Sequence, residues 1–239
     1  MNWYDYFREN AANRMAVPWE RGIGVEQALR GPLVRSLQRF QVGEKGDGKH
    51  LIRSAQATGD PQYAATIELF IKEEQAHSEL LARLLEGMDA PLIRWHWSDA
   101  CFVLVRRLSG LKLELAVLLA AEMISKRYYR ALYEGTTDPV LRAAFGQIIH
   151  DEDGHVTFHC DYLGRTMRPL PLLVRLALMG TWYAFYGIVV RVVAFDHRAV
   201  LRATGVSPRE FTRDCAAIFE ADAGRIFQPA PLGDTPATG

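Results

Sequence analysis

Cysteine is scarce and badly placed for joint work. Cys101, Cys160 and Cys215 are odd in number, far apart and never form Cys-x-x-Cys, which excludes a disulfide framework and a zinc-ribbon or rubredoxin-type site. They read as buried thiols. Net charge is also missing: 28 Lys and Arg balance 28 Asp and Glu, with no basic block or stripe, so the electrostatic footprint of a nucleic-acid binder is absent. A clean alternation of apolar and polar residues between hairpin turns hardly occurs, which argues against strands. The N-terminus, Met1-Asn2-Trp3-Tyr4-Asp5-Tyr6, has no basic region followed by an apolar stretch, so the expected location is cytoplasmic. The longest uncharged run, Leu176 to Val190, has 15 residues and is closed by Arg175 and Arg191. A spanning helix needs about 20 apolar residues, so no transmembrane span is expected.

What remains is a chain of 239 residues, 49% hydrophobic and 23% charged, able to bury a large core. Its long stretches carry helical periodicity, and the expected class is all-α. Residues 1–31 read as an N-terminal arm rich in aromatics. A first helix is expected from near Pro32 to about Ala57. Thr58-Gly59-Asp60-Pro61 then makes a turn in which Asp60 caps the next helix and Pro61 opens it, giving a second helix over about 61–86. After a connection, Ser98-Asp99 caps an apolar stretch that continues to Glu134, with a break at Ser109-Gly110. Thr136-Thr137-Asp138-Pro139 repeats the turn and starts a fourth helix over 139–165. Arg168-Pro169-Leu170-Pro171 separates this 32–166 unit from a C-terminal extension over 167–227, made of an apolar helix at 172–202 and a sixth helix capped by Ser207. Residues 228–239 read as a disordered tail.

The chemistry lies in an internal repeat. Displaced by 78 residues, Glu44 falls on Glu122, Asp60-Pro61 on Asp138-Pro139, Glu73-Glu74 on Asp151-Glu152 and His77 on His155. This is a duplicated helical hairpin, each copy holding a Glu on its first helix and a Glu-x-x-His on its second. Glu44 and Glu74 each stand 15 residues from Gly59, and Glu122 and Glu152 each stand 15 from Thr137. On continuous helices each pair meets at one level, roughly 22 Å from its turn. Within Glu-x-x-His, residues i and i+3 share a helix face. One such motif is an ordinary coincidence; two in register define a candidate ligand set of Glu44, Glu74, His77, Glu122, Glu152 and His155.

Four carboxylates directed into a bundle would each cost several kcal/mol unpaired, against a domain stability of about 5 to 15 kcal/mol. Two divalent cations neutralise them, and mixed carboxylate and imidazole ligation suits iron or manganese, with zinc also able to bind. Glu73 and Asp151, one residue before each motif Glu, are each expected to accept the ring N–H of the His from the other hairpin. His159, one turn beyond His155, reads as a hydrogen-bonded core histidine or a seventh ligand. Tyr128, Tyr129 and Tyr162 lie within two turns of ligands and read as packed aromatics or hydrogen-bond donors. Gly43, Gly46 and Gly48 beside Glu44 leave three readings open: space beside the metals, a helix distortion or close packing.

This pattern resembles the ferritin-like di-iron carboxylate superfamily, in which two helices each give a Glu and two each give a Glu-x-x-His. Gly43-Glu44-Lys45-Gly46 and Asp151-Glu152-Asp153-Gly154-His155 look most like demethoxyubiquinone hydroxylases, with aldehyde-deformylating oxygenases similar in size. The cysteine module of rubrerythrins is absent, and bacterioferritins have no counterpart of the 172–202 helix. The resemblance implies a four-helix bundle and a cofactor of two Fe ions, with Mn as the alternative. It implies O₂-dependent oxidation of a small hydrophobic organic substrate, with electrons from a protein donor. Ferroxidase or iron-storage activity, peroxide reduction and a non-catalytic metal-stabilised bundle are the competing expectations. For the apolar helix the readings are core packing, a tunnel wall, peripheral contact with a membrane surface and a homodimer interface.

Overall fold

The computed structural model describes residues 1–97, 100 and 110–227, and among these the chain is all-helical with no strand. The elements are α1 (Trp3–Ala12), a 3₁₀ turn (Trp19–Arg21), α2 (Gln27–Glu44), α3 (Lys49–Gln56) and α4 (Pro61–Gly87). After these come α5 (Leu111–Glu134), α6 (Pro139–Met167), α7 (Leu172–Asp196), α8 (Arg198–Ala203) and α9 (Pro208–Phe227). The Ser98-Asp99 cap, Cys101 and the 228–239 tail lie outside the described residues.

Helix starts follow local chemistry. The Asp60 carboxylate accepts from the Tyr63 N–H at 2.9 Å and Asp138 from Leu141 at 2.9 Å, each with a proline in the first turn. Ser207 Oγ accepts from the Glu210 N–H at 3.1 Å. Two expected helices are divided. The expected rod from Pro32 to Ala57 begins earlier, at Gln27, carries Pro32 inside its second turn, and stops at Glu44. A break at 45–48 follows before α3, because Gly48 adopts φ +62° to turn the chain. The expected helix at 172–202 is likewise divided at His197, which ends α7 and begins α8.

α2, α4, α5 and α6 pack as a bundle: α2 lies along α4, α5 along α6, and α4 touches α6. The remaining seam, α2 to α5, is closed by Phe40 stacked on Tyr128 at 3.9 Å and by Ser36 Oγ bonded to Tyr128 Oη at 2.5 Å. Ser36 Oγ also meets His197 Nδ1 at 2.6 Å, so the α7–α8 junction is tied to the same seam. α3 is tied to α5 by His50 Nδ1, 2.9 Å from Glu114 Oε2. Ile67, Leu81, Leu84, Leu119, Met123, Phe145 and Ile148 form the shared core. α1 lies on α4, and Trp3 Nε1 reaches Asp161 Oδ2 on α6 at 3.0 Å. α9 covers the outer side of α6, where the Cys160 thiol faces the Asp222 carbonyl at 3.4 Å.

The glycines around the α2 break differ in role, and this can be tested. A Cβ on Gly48 would overlap the Ile71 side chain in a left-handed conformation, whereas a Cβ on Gly43 meets nothing within 4 Å. Gly48→Ala is expected to cost about 2 to 4 kcal/mol, the sum of backbone strain and overpacking. Gly43→Ala is expected to be neutral or to stabilise by up to about 1 kcal/mol. Denaturant unfolding of both variants measures the difference.

Candidate metal centre

α4 and α6 bring their Glu-x-x-His turns face to face. Two groups of ligand atoms result: Glu44, Glu74 and His77 form one, and Glu74, Glu152 and His155 the other, the atoms of each lying within 4.8 Å of one another. Glu74 belongs to both. Its Oε1 stands 2.9 Å from His155 Nδ1 and 3.9 Å from His77 Nδ1, and Glu152 Oε2 stands 3.8 Å from His155 Nδ1. Glu44 comes from the last turn of α2, so the break that follows leaves its carboxylate in reach of Glu74 although no single helix carries it from the turn.

The orientation of both imidazoles is set from behind. His77 Nε2 donates to Asp151 Oδ2 at 2.9 Å, and His155 Nε2 donates to Glu73 Oε2 at 3.0 Å. Each bond crosses from one hairpin to the other. With Nε2 so occupied, the Nδ1 atoms face the carboxylates, and neither Nδ1 has an aligned hydrogen bond among the described residues. Glu74 Oε1 and Glu152 Oε2 are orphaned in the same way. His77, His155 and Glu152 are enclosed, while Glu44 and Glu74 are partly exposed and form the mouth of the site.

Glu122, the sixth residue of the sequence-derived set, stands in neither group. Its carboxylate is buried, and Oε1 lies 3.0 Å from His159 Nε2 without hydrogen-bond alignment. His159 is packed edge-on to Phe70 at 4.9 Å between ring centroids. Tyr128 is directed away from the cluster, since its hydroxyl is committed to Ser36. Tyr129 is the tyrosine whose buried phenol feels the cluster: burial, then the charge of Glu44, pushes its pKa well up, and its hydroxyl has no partner among the described residues. The signal for it is the seven-residue interval from Glu122, two full turns, which puts Tyr129 on the face of the ligand.

The residues hidden from sequence reasoning come from the arm and from the faces of α5 and α6. Asn10 Nδ2 donates to Glu73 Oε1 and to Asp151 Oδ1, both at 2.7 Å, and so clamps the two supporting carboxylates together. Arg14 Nη1 lies 2.7 Å from Asp151 Oδ2, and Gln147 Nε2 donates to Asp151 Oδ1 at 2.8 Å. On the other side Ser125 Oγ donates to Glu152 Oε1 at 2.8 Å. Gly154, inside the second motif, is the point where α1 closes down: a Cβ there would overlap the Tyr6 hydroxyl.

Protonation follows from crowding. Burial and then the charges of Glu74 and Glu152 raise the Glu44 carboxyl well above its ordinary range. Burial, reinforced by Glu74 and opposed by His155, pushes Glu152 up to about 7. Burial works against the charged form of Glu74, but the contact with His155 outweighs it and holds this carboxyl at about 2. For His155, burial is overcome by contacts with Glu152, Glu73 and Glu74, which raise its pKa well above the ordinary value. Asp151 is likewise buried yet held at about 2 by His77, Arg14 and Asn10.

No family model, curated protein or solved structure matches this chain.

Two outcomes follow for the metal-free protein. Glu152 keeps a proton up to about pH 7 when folded and has lost it by about 4.5 when unfolded. The unfolded chain therefore binds fewer protons in that window, and this group's contribution to stability is full below the lower value and falls as pH rises through 7. Unfolding free energies at acidic and alkaline pH should show the decline, and Glu152→Gln should make it shallower, the raised Glu44 and His155 acting in the same direction. Asn10→Ala removes donors from two buried carboxylates and is expected to cost about 2 to 3 kcal/mol. Asn10→Asp, which adds a third negative charge, should cost more in the same assay.

Proposed function

We propose that the chain is a ferritin-like di-metal oxidoreductase, with iron as the favoured metal and manganese the alternative, acting on a small hydrophobic organic substrate with O₂. The observation that carries this reading is the pair of imidazole Nδ1 atoms, fixed by Asp151 and Glu73 and directed, without an aligned hydrogen bond, at carboxylates of which Glu74 is common to both groups. Buried polar atoms are paired as a rule, so a cluster of orphans of complementary ligand type fits a cation pair. Two redox-active ions would supply one-electron steps and open positions for O₂.

The chain's own residues do the rest. Glu44, Glu74 and His77 hold one position; Glu74, Glu152 and His155 hold the second. Glu122 is the remaining uncommitted carboxylate, and His159 beside it is the group that shares its charge. Asp151 and Glu73 keep each ring in the Nε2–H form and make Nδ1 the more basic donor. Protons held by Glu44, Glu152 and His155 must leave when a cation enters, so loading is coupled to pH. Phe7 and Phe70 pack on the His155 ring at 5.9 and 4.7 Å and keep water from that side.

A pocket of about 550 Å³ that is open to solvent offers space for an organic substrate, its aromatic wall of Trp3, Tyr63, Phe158 and Tyr162 facing polar groups of Asp60, Gln62, Asp161 and Arg165. One lining residue, Phe158, packs on Phe7 at 5.4 Å, and Phe7 in turn packs on the His155 ring at 5.9 Å. In balance, substrate C–H, O₂, two electrons and two protons would give the hydroxylated product and water, with the electrons coming from an external protein donor.

Anaerobic reconstitution with Fe²⁺ is expected to load two ions per chain, to release protons, and to tighten as pH rises from 6 to 8. Exposure to O₂ should then produce a new near-ultraviolet or visible band. Glu74→Ala and His155→Ala should lose both the stoichiometry and the band. Fewer than two metals, or loading indifferent to either substitution, would sink the reading. Uptake of many irons per chain into a mineral would favour storage instead.

A further inference from the structure

α7 carries apolar residues around its circumference, yet among the described residues it buries one side. Tyr186, Val190 and Ala194 face the bundle, the Tyr186 ring packs on Phe219 at 4.8 Å, and Trp182 Nε1 donates to the Ala116 carbonyl at 3.0 Å. The opposite side shows Leu173 at 80%, Ile188 at 63% and Phe195 at 67% exposure; on the inner side towards the N-terminal end Leu172 and Leu176 are also open, and Tyr183 is half-open beside Phe219. Of its most apolar 18-residue window, 11% is buried. A helix hydrophobic all round is normally enclosed, and a contiguous exposed patch of this kind marks an interaction surface.

Charge identifies the occupant. Residues 162–209 contain seven arginines and one acidic residue, Asp196, leaving 21 basic against 27 acidic residues in the remainder of a neutral chain. Asp196 is itself spoken for, with Oδ1 2.9 Å from Arg39 Nη1. Arg191 and Arg198 lie on the exposed side and fold back along it. Arg191 Nη1 donates to the Gly187 carbonyl at 2.8 Å, and Arg198 Nη1 donates to Phe195 O at 2.7 Å with its guanidinium 4.2 Å from that ring. Trp95 and Trp97, both exposed, flank the C-terminal end of the helix, where His96 Nε2 is 3.9 Å from Asp196 Oδ2. Exposed aliphatics edged by arginine and tryptophan match the acyl–headgroup boundary of a bilayer.

We infer that the outer face of α7 docks in plane on an anionic lipid surface, with the bundle held above it. A second copy of the chain is the poorer occupant, because apposing two such faces would bring Arg191 and Arg198 of both copies into one interface, and Asp196, the one acid of the helix, is committed to Arg39. A span is disfavoured because the inner face is bonded to α5 and α9. This inference is independent of the metal reading, since it uses none of the same residues.

The test is flotation of the full chain with vesicles of phosphatidylcholine alone and with roughly one-third phosphatidylglycerol, alongside light scattering of the free protein. Flotation is expected with the anionic vesicles, and to weaken strongly on the neutral ones and at about 0.5 M salt. Leu173→Asp with Ile188→Asp should abolish it while circular dichroism stays helical. Arg191→Gln with Arg198→Gln should weaken it about five-fold per arginine, and this pair carries the test if the aspartate pair fails to fold. Failure to float with either vesicle overturns the proposal. So does a dimer that the aspartate pair disperses, which would make the face a contact between copies. Equal binding to neutral vesicles, resistant to salt and to alkaline extraction, would overturn it in favour of insertion.

Discussion

The constraint on which the structure turns is the cost of enclosing carboxylates among aromatic and aliphatic side chains. Glu73, Glu122, Asp151 and Glu152 are all nearly inaccessible, and Glu44 and Glu74 stand beside them. An uncompensated buried charge is worth several kcal/mol, comparable with the stability of the domain. The protein meets this with paired donors: imidazoles of one hairpin against acids of the other, Asn10 across two carboxylates, Arg14 on Asp151 and Ser125 on Glu152. Among the acid atoms of this cluster left without donors, Glu74 Oε1 and Glu152 Oε2 face the imidazole Nδ1 atoms, while both oxygens of Glu122 lie apart beside His159.

The duplicated hairpin is therefore more than a topological economy. Because each histidine is held by an acid of the other repeat, neither copy can orient its own ring, and the two halves must dock before either ligand set exists. The arm then acts as a lock. Phe7 and Trp3 bury it against α4 and α6, and Asn10 gains its two partners only when both helices are in place. The C-terminal extension contributes differently: α9 and the inner face of α7 add core, while the outer face of α7 adds exposed apolar surface that the bundle does not need.

Much of this was legible in the sequence because its signals are local or periodic. The Asp-Pro starts at 60–61 and 138–139 appear as caps, since a cap needs only its own first turn. The repeat spacing put Glu44 level with Glu74 and Glu122 with Glu152; the first pair shares a group, while Glu122 does not join Glu152. The break after Glu44 was harder: three glycines announced an irregularity, but that Gly48 is the one at φ +62°, packed against Ile71 of α4, is decided by a contact 23 residues along the chain. Tyr128 and Tyr129 are adjacent, and which one feels the cluster is decided by helix rotation against α2, where Ser36 takes the Tyr128 hydroxyl.

By itself, then, the sequence determined the all-helical class of the described residues, the helix starts at Pro61, Pro139 and Pro208 and the repeated pairing of carboxylate with imidazole, because periodicity, capping and repeat spacing act within a turn or a hairpin. Tertiary structure alone decided that Glu74 is common to both groups, that Glu122 lies against His159, and that Asn10 and Arg14 support the site from the arm. It also decided that one face of α7 stays open. Those outcomes depend on how helices distant in the chain rotate and pack, and on which polar atoms that packing leaves without water, which no interval along the chain encodes.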